Sequence, residues 1–477
     1  MAETHVSTLF FLGDRAYKLL KPVDLGFLDH RRREARQAAC RREVELNRRL
    51  APDVYLGVLD VVDEAGRPLD HLVAMRRMPA DRALAAILDA PEAPDRLREV
   101  AGAVAAFHAR AGRGPAIDAA GRRDAVLANW ADNLAQMRPF AGEVLPAAEV
   151  AAVERLARAY LEGRGRLFAR RIADGRVCDG HGDLLAEDIF CLPDGPRILD
   201  CLAFDDRLRH GDVLADVAFL AMDLEARGHT ELARGFLERY GELSSERHPA
   251  SLADHYVAYR AHVRAKVACL RWREGDEPAA DRARRLHRLA AERLERARVR
   301  LVLVGGTPGT GKSTLAAALS GRTGWAVLRS DEVRKDLAGL DRGAGAGAGF
   351  REGLYAPAAT ERVYSELARL ARGLLELGES VVVDASWSSA SHRDGARAVA
   401  AAARADVHEL RCAAPGELAR RRIDSRLRAG GDASDATPEI ARRLAESFDP
   451  WPEARTLDTD RPLGETLDEA LAAAGAG

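Results

Sequence analysis

Residues 299–314 read VRLVLVGGTPGTGKST, and this stretch decides the fold of the C-terminal part of the chain. The apolar run over 299–304 is rich in β-branched residues, which predicts a buried strand. The pattern Gly-x-x-x-x-Gly-Lys-Ser follows directly, and helix-forming residues continue from Leu315. A strand, a glycine-rich loop and a helix in this order predict a phosphate-binding loop.

Such a loop predicts a site for a nucleoside triphosphate, taken here as ATP, together with Mg²⁺. Its backbone N–H groups converge on phosphate oxygens, and the N-terminus of the next helix adds its positive dipole end. We expect Lys312 to reach the β- and γ-phosphates and the hydroxyl of Ser313 to bind Mg²⁺. The predicted nucleotide-binding residues are Gly306, Thr307, Pro308, Gly309, Thr310, Gly311, Lys312, Ser313 and Thr314.

The composition is typical of a globular protein and argues against several other classes. A chain of 477 residues has room for about two to three domains. The 72 Lys and Arg residues against 74 Asp and Glu leave a net charge of −2, so no overall basic bias indicates nucleic-acid binding. The six cysteines lack Cys-x-x-Cys spacing, which indicates reduced thiols. No apolar run has membrane-spanning length and no signal peptide is recognisable, which predicts a cytoplasmic protein without a membrane partner.

The pattern of elements divides the chain near residue 298. Strand-like runs dominate residues 1–85 and helical patterns dominate 86–298, which predicts a small strand-rich lobe followed by a larger helical lobe. An arginine-rich helix over 281–298 closes this domain; acidic residues interrupt it, so we interpret it as solvated rather than as a nucleic-acid-binding stripe. Strands alternate with helices in the second domain, 299–477, which predicts a parallel sheet. The glycine-rich stretch 343–349 is expected to be a mobile loop.

Two carboxylates in the helical lobe have the spacing of a kinase catalytic loop and its metal-binding residue. His181-Gly-Asp183 is followed by Asp188, and Asp200 comes after a predicted hairpin. Proton transfer needs a carboxylate beside the substrate hydroxyl, and the phosphates need a separate one at the metal. The alternative is that these are unrelated loop aspartates. Four further aspartates are interpreted as turn and helix-cap residues: Asp205, Asp206, Asp212 and Asp216.

The sequence His-Gly-Asp-Leu, with Leu-Asp-Cys downstream, resembles the aminoglycoside phosphotransferase family. That resemblance implies an α+β, bilobal, protein-kinase-like N-terminal domain that phosphorylates small molecules. It implies Asp183 as the catalytic base, and Asp188 and Asp200 as metal ligands. It also implies that Lys18 holds the α- and β-phosphates and that Glu43 pairs with this lysine.

The chain departs from that family at several positions. Position 188 is Asp where the family has Asn, and Leu185 stands where the family commonly has His. No glycine-rich loop precedes Lys18, since only Gly13 is available, and Lys21 is an alternative lysine. These departures leave open a catalytically inactive binding module.

Two acidic residues in the C-terminal domain follow predicted strands. Asp331 could accept the proton of an attacking hydroxyl, with Arg334 holding an anionic group of the substrate; the alternative for Asp331 is a helix N-cap. Asp384 ends an apolar strand, as a Walker B carboxylate does when it orients the Mg²⁺ shell. Arg393 begins the next helix and could reach phosphate.

An arginine-dense helix over 417–428 offers cations for the γ-phosphate. The candidates are Arg420, Arg421, Arg422 and Arg426, which cannot all face the nucleotide at helical pitch. We assign Arg422 and Arg426 to the nucleotide. A closing lid that carries such cations would also exclude water.

The C-terminal motifs resemble small P-loop kinases of the polynucleotide-kinase-like and gluconate-kinase-like groups, so the resemblance implies an α/β P-loop domain. Together the halves resemble bacterial two-domain proteins, and they predict a bifunctional ATP-dependent phosphotransferase. The expected partners are small molecules with a hydroxyl acceptor: sugar- or aminoglycoside-like at the first site, and unassigned at the second. A polynucleotide end stays open as an acceptor. The alternatives are an inactive N-terminal module beside an active P-loop kinase, and a P-loop NTPase switch without an acceptor.

Overall fold

The computed structural model describes residues 2–3, 6–24, 29–341, 353–429 and 436–476. The predicted loop at 343–349 lies outside these ranges. Two compact units make up the chain. The first comprises Met1–Arg155, Phe168–His248 and Ala253–Glu295, and the second comprises Leu156–Leu167, Pro249–Leu252 and Arg296–Gly477. The sequence pattern gave no sign that two short segments before residue 253 join the second unit.

An antiparallel sheet forms the N-terminal part of the first unit. Its strands are β1 (Ala2–Glu3), β2 (Ser7–Leu12), β3 (Arg15–Leu20), β4 (Tyr55–Val62) and β5 (Pro68–Arg76), in the order β1-β2-β3-β5-β4. The predicted hairpin is present, with its turn at Gly13-Asp14. Helix α1 (Arg33–Asn47) packs on the sheet because Cys40 and Val44 enter one apolar core with Val73. This core holds α1 against β5 and β4, and the side chain of Glu43 on α1 reaches Lys18 on β3.

Helices account for most of residues 84–296, as the sequence predicts. They are α2 (Leu84–Ile87), α3 (Ala93–Arg110), α4 (Pro115–Asp118), α5 (Arg123–Met137), α6 (Ala147–Glu162), α7 (Gly165–Ala173), α8 (Asp206–Arg209), α9 (Val213–Ala226), α10 (Thr230–Ser244), α11 (Ala250–Arg273) and α12 (Ala279–Arg296). Two small antiparallel pairs interrupt them: β6 (Val177–Asp179) with β9 (His210–Asp212), and β7 (Ile189–Leu192) with β8 (Gly195–Ile198). The second pair is the predicted hairpin between the two candidate aspartates.

The second unit is built on a five-stranded parallel sheet, which confirms the predicted α/β domain. Its strands are β10 (Arg300–Gly305), β11 (Ala326–Arg329), β12 (Val381–Asp384), β13 (Asp406–Ala413) and β14 (Arg455–Asp458), in the order β11-β12-β10-β13-β14. The helices are α13 (Lys312–Thr323), α14 (Ser330–Ala338), α15 (Pro357–Glu376), α16 (Ala390–Ala402), α17 (Gly416–Ala429), α18 (Pro438–Glu446) and α19 (Leu463–Ala473). Every residue of β10 is buried. Strands β11 and β12 lie on one side of β10, and β13 and β14 lie on the other. The order of the strands therefore reverses beside β10, and ligands bind at such topological switch points.

Among the helices that the structure describes, none is long and apolar enough to cross a bilayer. All six cysteines are buried free thiols, in agreement with the sequence-based expectation.

Candidate active sites

Lys18, Glu43 and Asp200 meet in the first unit although 182 positions separate the first from the last. The amine of Lys18, on β3, lies 2.9 Å from the Glu43 carboxylate on α1 and 3.3 Å from that of Asp200. Burial by itself would lower the pKa of Lys18, but the negative charges of Asp200 and Glu43 outweigh it and raise that pKa above its ordinary value. The lysine is therefore a permanent cation. The salt bridge to Glu43 involves Lys18, not the alternative Lys21.

Asp183 lies on the loop after β6, and its surroundings raise its pKa to about 6. Burial is the largest cause, and the positive charge of Arg264 opposes it, with 4.0 Å between the guanidinium Nη1 and the carboxylate Oδ1. The side chain stays 30 % exposed, so a substrate can reach it. A carboxylate with this pKa is ionised at neutral pH and is still basic enough to accept a proton.

Asp188 and Asp200 provide the oxygen ligands that Mg²⁺ prefers. The pKa of Asp188 is raised by burial and by the negative charges of Asp200 and Glu187, whereas the charge of Lys18 lowers the pKa of Asp200. The carboxylates that surround Asp188 make the position favourable for a bound cation. Within the described ranges no three His, Cys, Asp or Glu side chains form a metal-holding group. Mg²⁺ that binds with a nucleotide needs only one or two protein carboxylates, so the residues fit it.

Asp216 holds the loop that carries Asp183, and the sequence analysis missed this role. Its two carboxylate oxygens accept the backbone N–H groups of His181 and Gly182 at 2.7 and 2.8 Å. The ring Nε2 of His108 lies 3.0 Å from the same carboxylate. Although burial opposes ionisation, these hydrogen bonds hold the pKa of Asp216 below its usual range. Our interpretation as a cap was wrong for Asp216, which lies inside α9.

The helix-cap interpretation holds for two of the other aspartates. Asp205 accepts the N–H of Arg207 at the start of α8, and Asp212 accepts that of Leu214 at the start of α9. Asp206 instead pairs with Arg209. A signal for Asp216 was present in the sequence: it is the charged residue in the apolar run over 213–222, and such a residue needs a buried partner.

The glycine-rich loop of the second unit has the backbone that its sequence predicts. Gly306 has φ +132°, and a Cβ there would lie 2.5 Å from the carbonyl oxygen of Cys412, so only glycine fits. Helix α13 begins at Lys312, which places Ser313 in its first turn. The amine of Lys312 donates to the carbonyl of Thr307 at 2.9 Å and thus lies over the loop.

A cleft of about 810 Å³ opens beside this loop, and several predicted site residues line it. They are Pro308, Gly309, Gly311, Lys312, Ser313, Thr314, Asp331, Arg334, Asp384, Arg422 and Arg426. The remaining loop residues are Gly306, Thr307 and Thr310, of which Thr310 is buried and donates its hydroxyl to Thr307.

Asp331 does not cap its helix, because α14 begins at Ser330 and Asp331 falls in the first turn. The N-cap alternative was therefore wrong. Arg334, one turn further on, donates to the carbonyl of Leu354 at 2.7 Å and lies over the ring of Tyr355. Asp384 is the last residue of β12 and lies 3.5 Å from the guanidinium of Arg329. The cleft is thus lined by the carboxylates of Asp331 and Asp384 and by the guanidinium of Arg334.

Arg422 and Arg426 face the cleft from α17, whereas Arg420 and Arg421 are exposed. Arg422 donates to the carbonyl of Thr459 at 2.8 Å, and the Thr459 hydroxyl lies 2.8 Å from the carbonyl oxygen of Thr310. Thr459 thereby connects the arginine helix to the phosphate-binding loop.

Arg393, for which the sequence left contact with phosphate possible, does not line the cleft. Its side chain is buried, and the guanidinium donates to the carbonyls of Trp387 and Pro450 at 2.8 and 2.6 Å. It also lies over the ring of Trp451. This arginine joins chain segments, and its charge is not available to a ligand.

Comparison with known proteins now places the chain. It is 42% identical over 470 residues to uncharacterized proteins of Mycobacterium tuberculosis and Mycobacterium bovis, and the match covers 98% of this chain and 94% of theirs. The chain belongs to the family of these mycobacterial proteins. A model of the phosphotransferase enzyme family matches residues 22–255, and a model described as an AAA domain matches residues 301–451. The chain is accordingly an ATP-dependent phosphotransferase. It has a kinase-like domain and a P-loop domain, as the sequence resemblances predict.

Solved structures of kinases are similar to parts of this family member. A choline/ethanolamine kinase family protein from Mesorhizobium loti is 17% identical, covers 62% of this chain and 90% of its own, and has a TM-score of 0.40. The APS kinase of Mycobacterium tuberculosis with AMPPNP and APS is 27% identical over 37% of this chain and 97% of its own, with a TM-score of 0.28. A gluconokinase from Sinorhizobium meliloti is 17% identical over 37% and 90%, with a TM-score of 0.27.

The substitution Asp216→Asn is expected to loosen the loop that carries Asp183. An amide offers one acceptor oxygen where the carboxylate uses two, and its NH₂ group would face a backbone donor. Hydrogen–deuterium exchange of the peptide around residues 181–183 should become at least about tenfold faster, since losing about 1.4 kcal/mol of local stability has that effect. The control Asp205→Asn changes a partly buried cap of another helix and should leave this peptide unchanged. Equal exchange in both variants would contradict the role of Asp216.

Proposed function

We propose that the protein is a bifunctional kinase with one ATP site in each unit, and that each site phosphorylates a hydroxyl group of a small molecule. The first site is proposed because Lys18 forms ion pairs with Glu43 and Asp200. The nearby carboxylate of Asp183 has a raised pKa, as a general base needs. The first acceptor is a sugar- or aminoglycoside-like compound. The acceptor of the second site is a hydroxyl compound of another kind, and a polynucleotide end is the remaining alternative.

In the first site, Lys18 binds the α- and β-phosphates, and Glu43 holds the lysine in place. Asp183 accepts the proton of the acceptor hydroxyl as that oxygen attacks the γ-phosphorus, because its carboxylate is ionised at neutral pH and partly exposed. Asp188 and Asp200 would hold Mg²⁺, which neutralises phosphate charge when bound. Phosphoryl transfer depends mainly on such positioning and charge neutralisation.

In the second site, Lys312 binds the β- and γ-phosphates, and Ser313 and Asp384 would hold Mg²⁺. Asp331 accepts the proton of the second acceptor, and Arg334 orients an anionic group of it. Arg422 and Arg426 neutralise the transferring phosphate from α17. The support is that all of these side chains line one cleft beside the phosphate-binding loop.

An inactive first site is the second candidate, and a specific observation favours it. Asp188 adds a carboxylate where the resembling family has an amide, and its pKa is raised because negative charges crowd it. If Mg²⁺ did not offset that charge, the unit would bind a ligand without transferring phosphate. A P-loop NTPase switch without an acceptor is disfavoured, because it needs neither Asp331 nor Arg334 at the cleft.

The first site should depend on pH through Asp183. In the Lys312→Ala chain, which leaves only this site active, we expect kcat/KM to rise with pH and to level off above about pH 6, since the base must be deprotonated. The measurement uses an acceptor selected from a panel of hydroxylated metabolites. Asp183→Asn added to the Lys312→Ala chain should remove this activity and its pH dependence together. A rate that is independent of pH between 4.5 and 8, or unchanged in Asp183→Asn, would remove Asp183 as the base.

The second site should depend on Lys312. In an Asp183→Asn background, Lys312→Ala is expected to lower ATP turnover by about 10³-fold or more, because the phosphates lose the loop cation. Arg322→Ala is the matched control, since Arg322 is an exposed cation near the other end of α13. Turnover that survives Lys312→Ala would show that the cleft is not the second catalytic site.

A further inference from the structure

Beside the candidate base of the first unit lies a second cavity, of about 270 Å³, that none of the roles above uses. Four arginines line it, Arg264, Arg271, Arg282 and Arg285, and Asp276 is the acidic residue among its lining side chains. The other lining residues are Val267, Ala268, Pro278 and Ala279. The cavity is open to solvent, since Arg264 is partly buried and the other three arginines are exposed. It combines a small apolar lining with an excess of positive charge.

The four guanidinium groups come from two helices that follow each other in the chain. Arg264 and Arg271 are seven residues apart on α11, so they share one face of that helix. Arg282 and Arg285 are three residues apart near the N-terminus of α12, where the helix dipole is positive. Arg271, Arg282 and Arg285 form no ion pair with any residue that the structure describes.

The pKa of Arg282 shows that these cations lie close together. Burial lowers its pKa, and so do the positive charges of Arg264 and Arg271, although the negative charges of Glu187 and Asp223 oppose this shift without cancelling it. Like charges held close together repel one another, and a bound anion relieves this repulsion. Arginine also presents a planar fork of donors that matches phosphate and carboxylate oxygens.

Arg264 connects the cavity to the chemistry. It lines the cavity and its guanidinium lies 4.0 Å from the carboxylate of Asp183. A molecule whose anionic group sits among the arginines can thus place a hydroxyl near the candidate base. A polycationic acceptor would meet four guanidinium groups there and would be repelled.

We propose that the cavity binds an anionic group of the first site's acceptor, so that this acceptor is a hydroxyl compound with a phosphate or carboxylate rather than a polycationic aminoglycoside. The proposal rests on the proposed function for the link to phosphoryl transfer, but the binding of the anion does not depend on it. Transfer forms a bond between the acceptor oxygen and the γ-phosphorus and breaks the bond to the β-phosphate oxygen. The hydroxyl proton goes to Asp183, and ADP leaves.

The test uses calorimetry on the full chain, with both nucleotide sites first saturated with Mg²⁺ and AMP-PNP. Three probes share one carbon skeleton: glycerol 3-phosphate, glycerate and neutral glycerol. We expect at least one of the two anions to bind more tightly than glycerol, and the stronger of them identifies phosphate or carboxylate as the preferred group. No preference for either anion over glycerol would overturn the proposal.

Variants then assign the binding to the cavity. Arg282→Ala combined with Arg285→Ala should weaken anion binding by about tenfold or more, as expected for the loss of charge-assisted hydrogen bonds. Arg288→Ala, an exposed arginine of α12 outside the cavity, should change nothing. Asp183→Asn should tighten binding by about threefold, because it removes a negative charge beside Arg264. Binding that survives the double variant would place the anion elsewhere and overturn the proposal.

The two proposals fail in different ways. Arginine-dependent anion binding without ATP-dependent phosphorylation of any anionic hydroxyl compound would keep the cavity as an anion site and reject catalysis by the first unit. Phosphorylation of neutral or cationic acceptors that is indifferent to the double variant would keep the catalysis and reject the anion site.

Discussion

A buried lysine needs negative charge beside it. In the first unit, Glu43 and Asp200 supply that charge to Lys18. Its partners come from a helix packed on the sheet and from the segment after the β7–β8 hairpin, so the ion pairs connect three separate parts of the unit. Removing either carboxylate would leave a buried charge partly uncompensated, which is strongly destabilising. In the proposed first site Asp200 would also hold Mg²⁺, so the side chain that stabilises the lysine would also connect it to the metal.

Most of the fold could be predicted from the sequence because its elements have strong local signals. The buried strand β10, the loop after it and the β2–β3 hairpin follow from apolar runs and turn residues within a few positions. The pairing of Lys18 with Glu43 came only from the family resemblance, since 25 residues separate them and no local pattern links them. Strand β14 has no recognisable signal in the sequence, because its four residues (RTLD) are too few and too polar to show a strand pattern.

The misassigned residues are those whose partners lie far away in the sequence. Asp216 was interpreted as a turn or cap residue because its partners, residues 181 and 182, are 35 and 34 positions distant. Arg393 was named as a residue that could reach phosphate because a sequence does not show that its guanidinium donates to the carbonyls of Trp387 and Pro450. The arginine cavity was not predicted for the same reason: the helix over 281–298 was interpreted as solvated, and no local pattern shows that arginines of α11 lie beside it. A charged residue in a helix thus indicates a partner without saying which one.

If each unit binds its own nucleotide, calorimetric titration of the full chain with Mg²⁺ and AMP-PNP should give two bound nucleotides per chain. Lys312→Ala should remove one of them, Lys18→Ala the other, and the two substitutions together should abolish binding. A single nucleotide per wild-type chain that disappears with Lys312→Ala and is unaffected by Lys18→Ala would contradict the account and leave the first unit as a module without ATP.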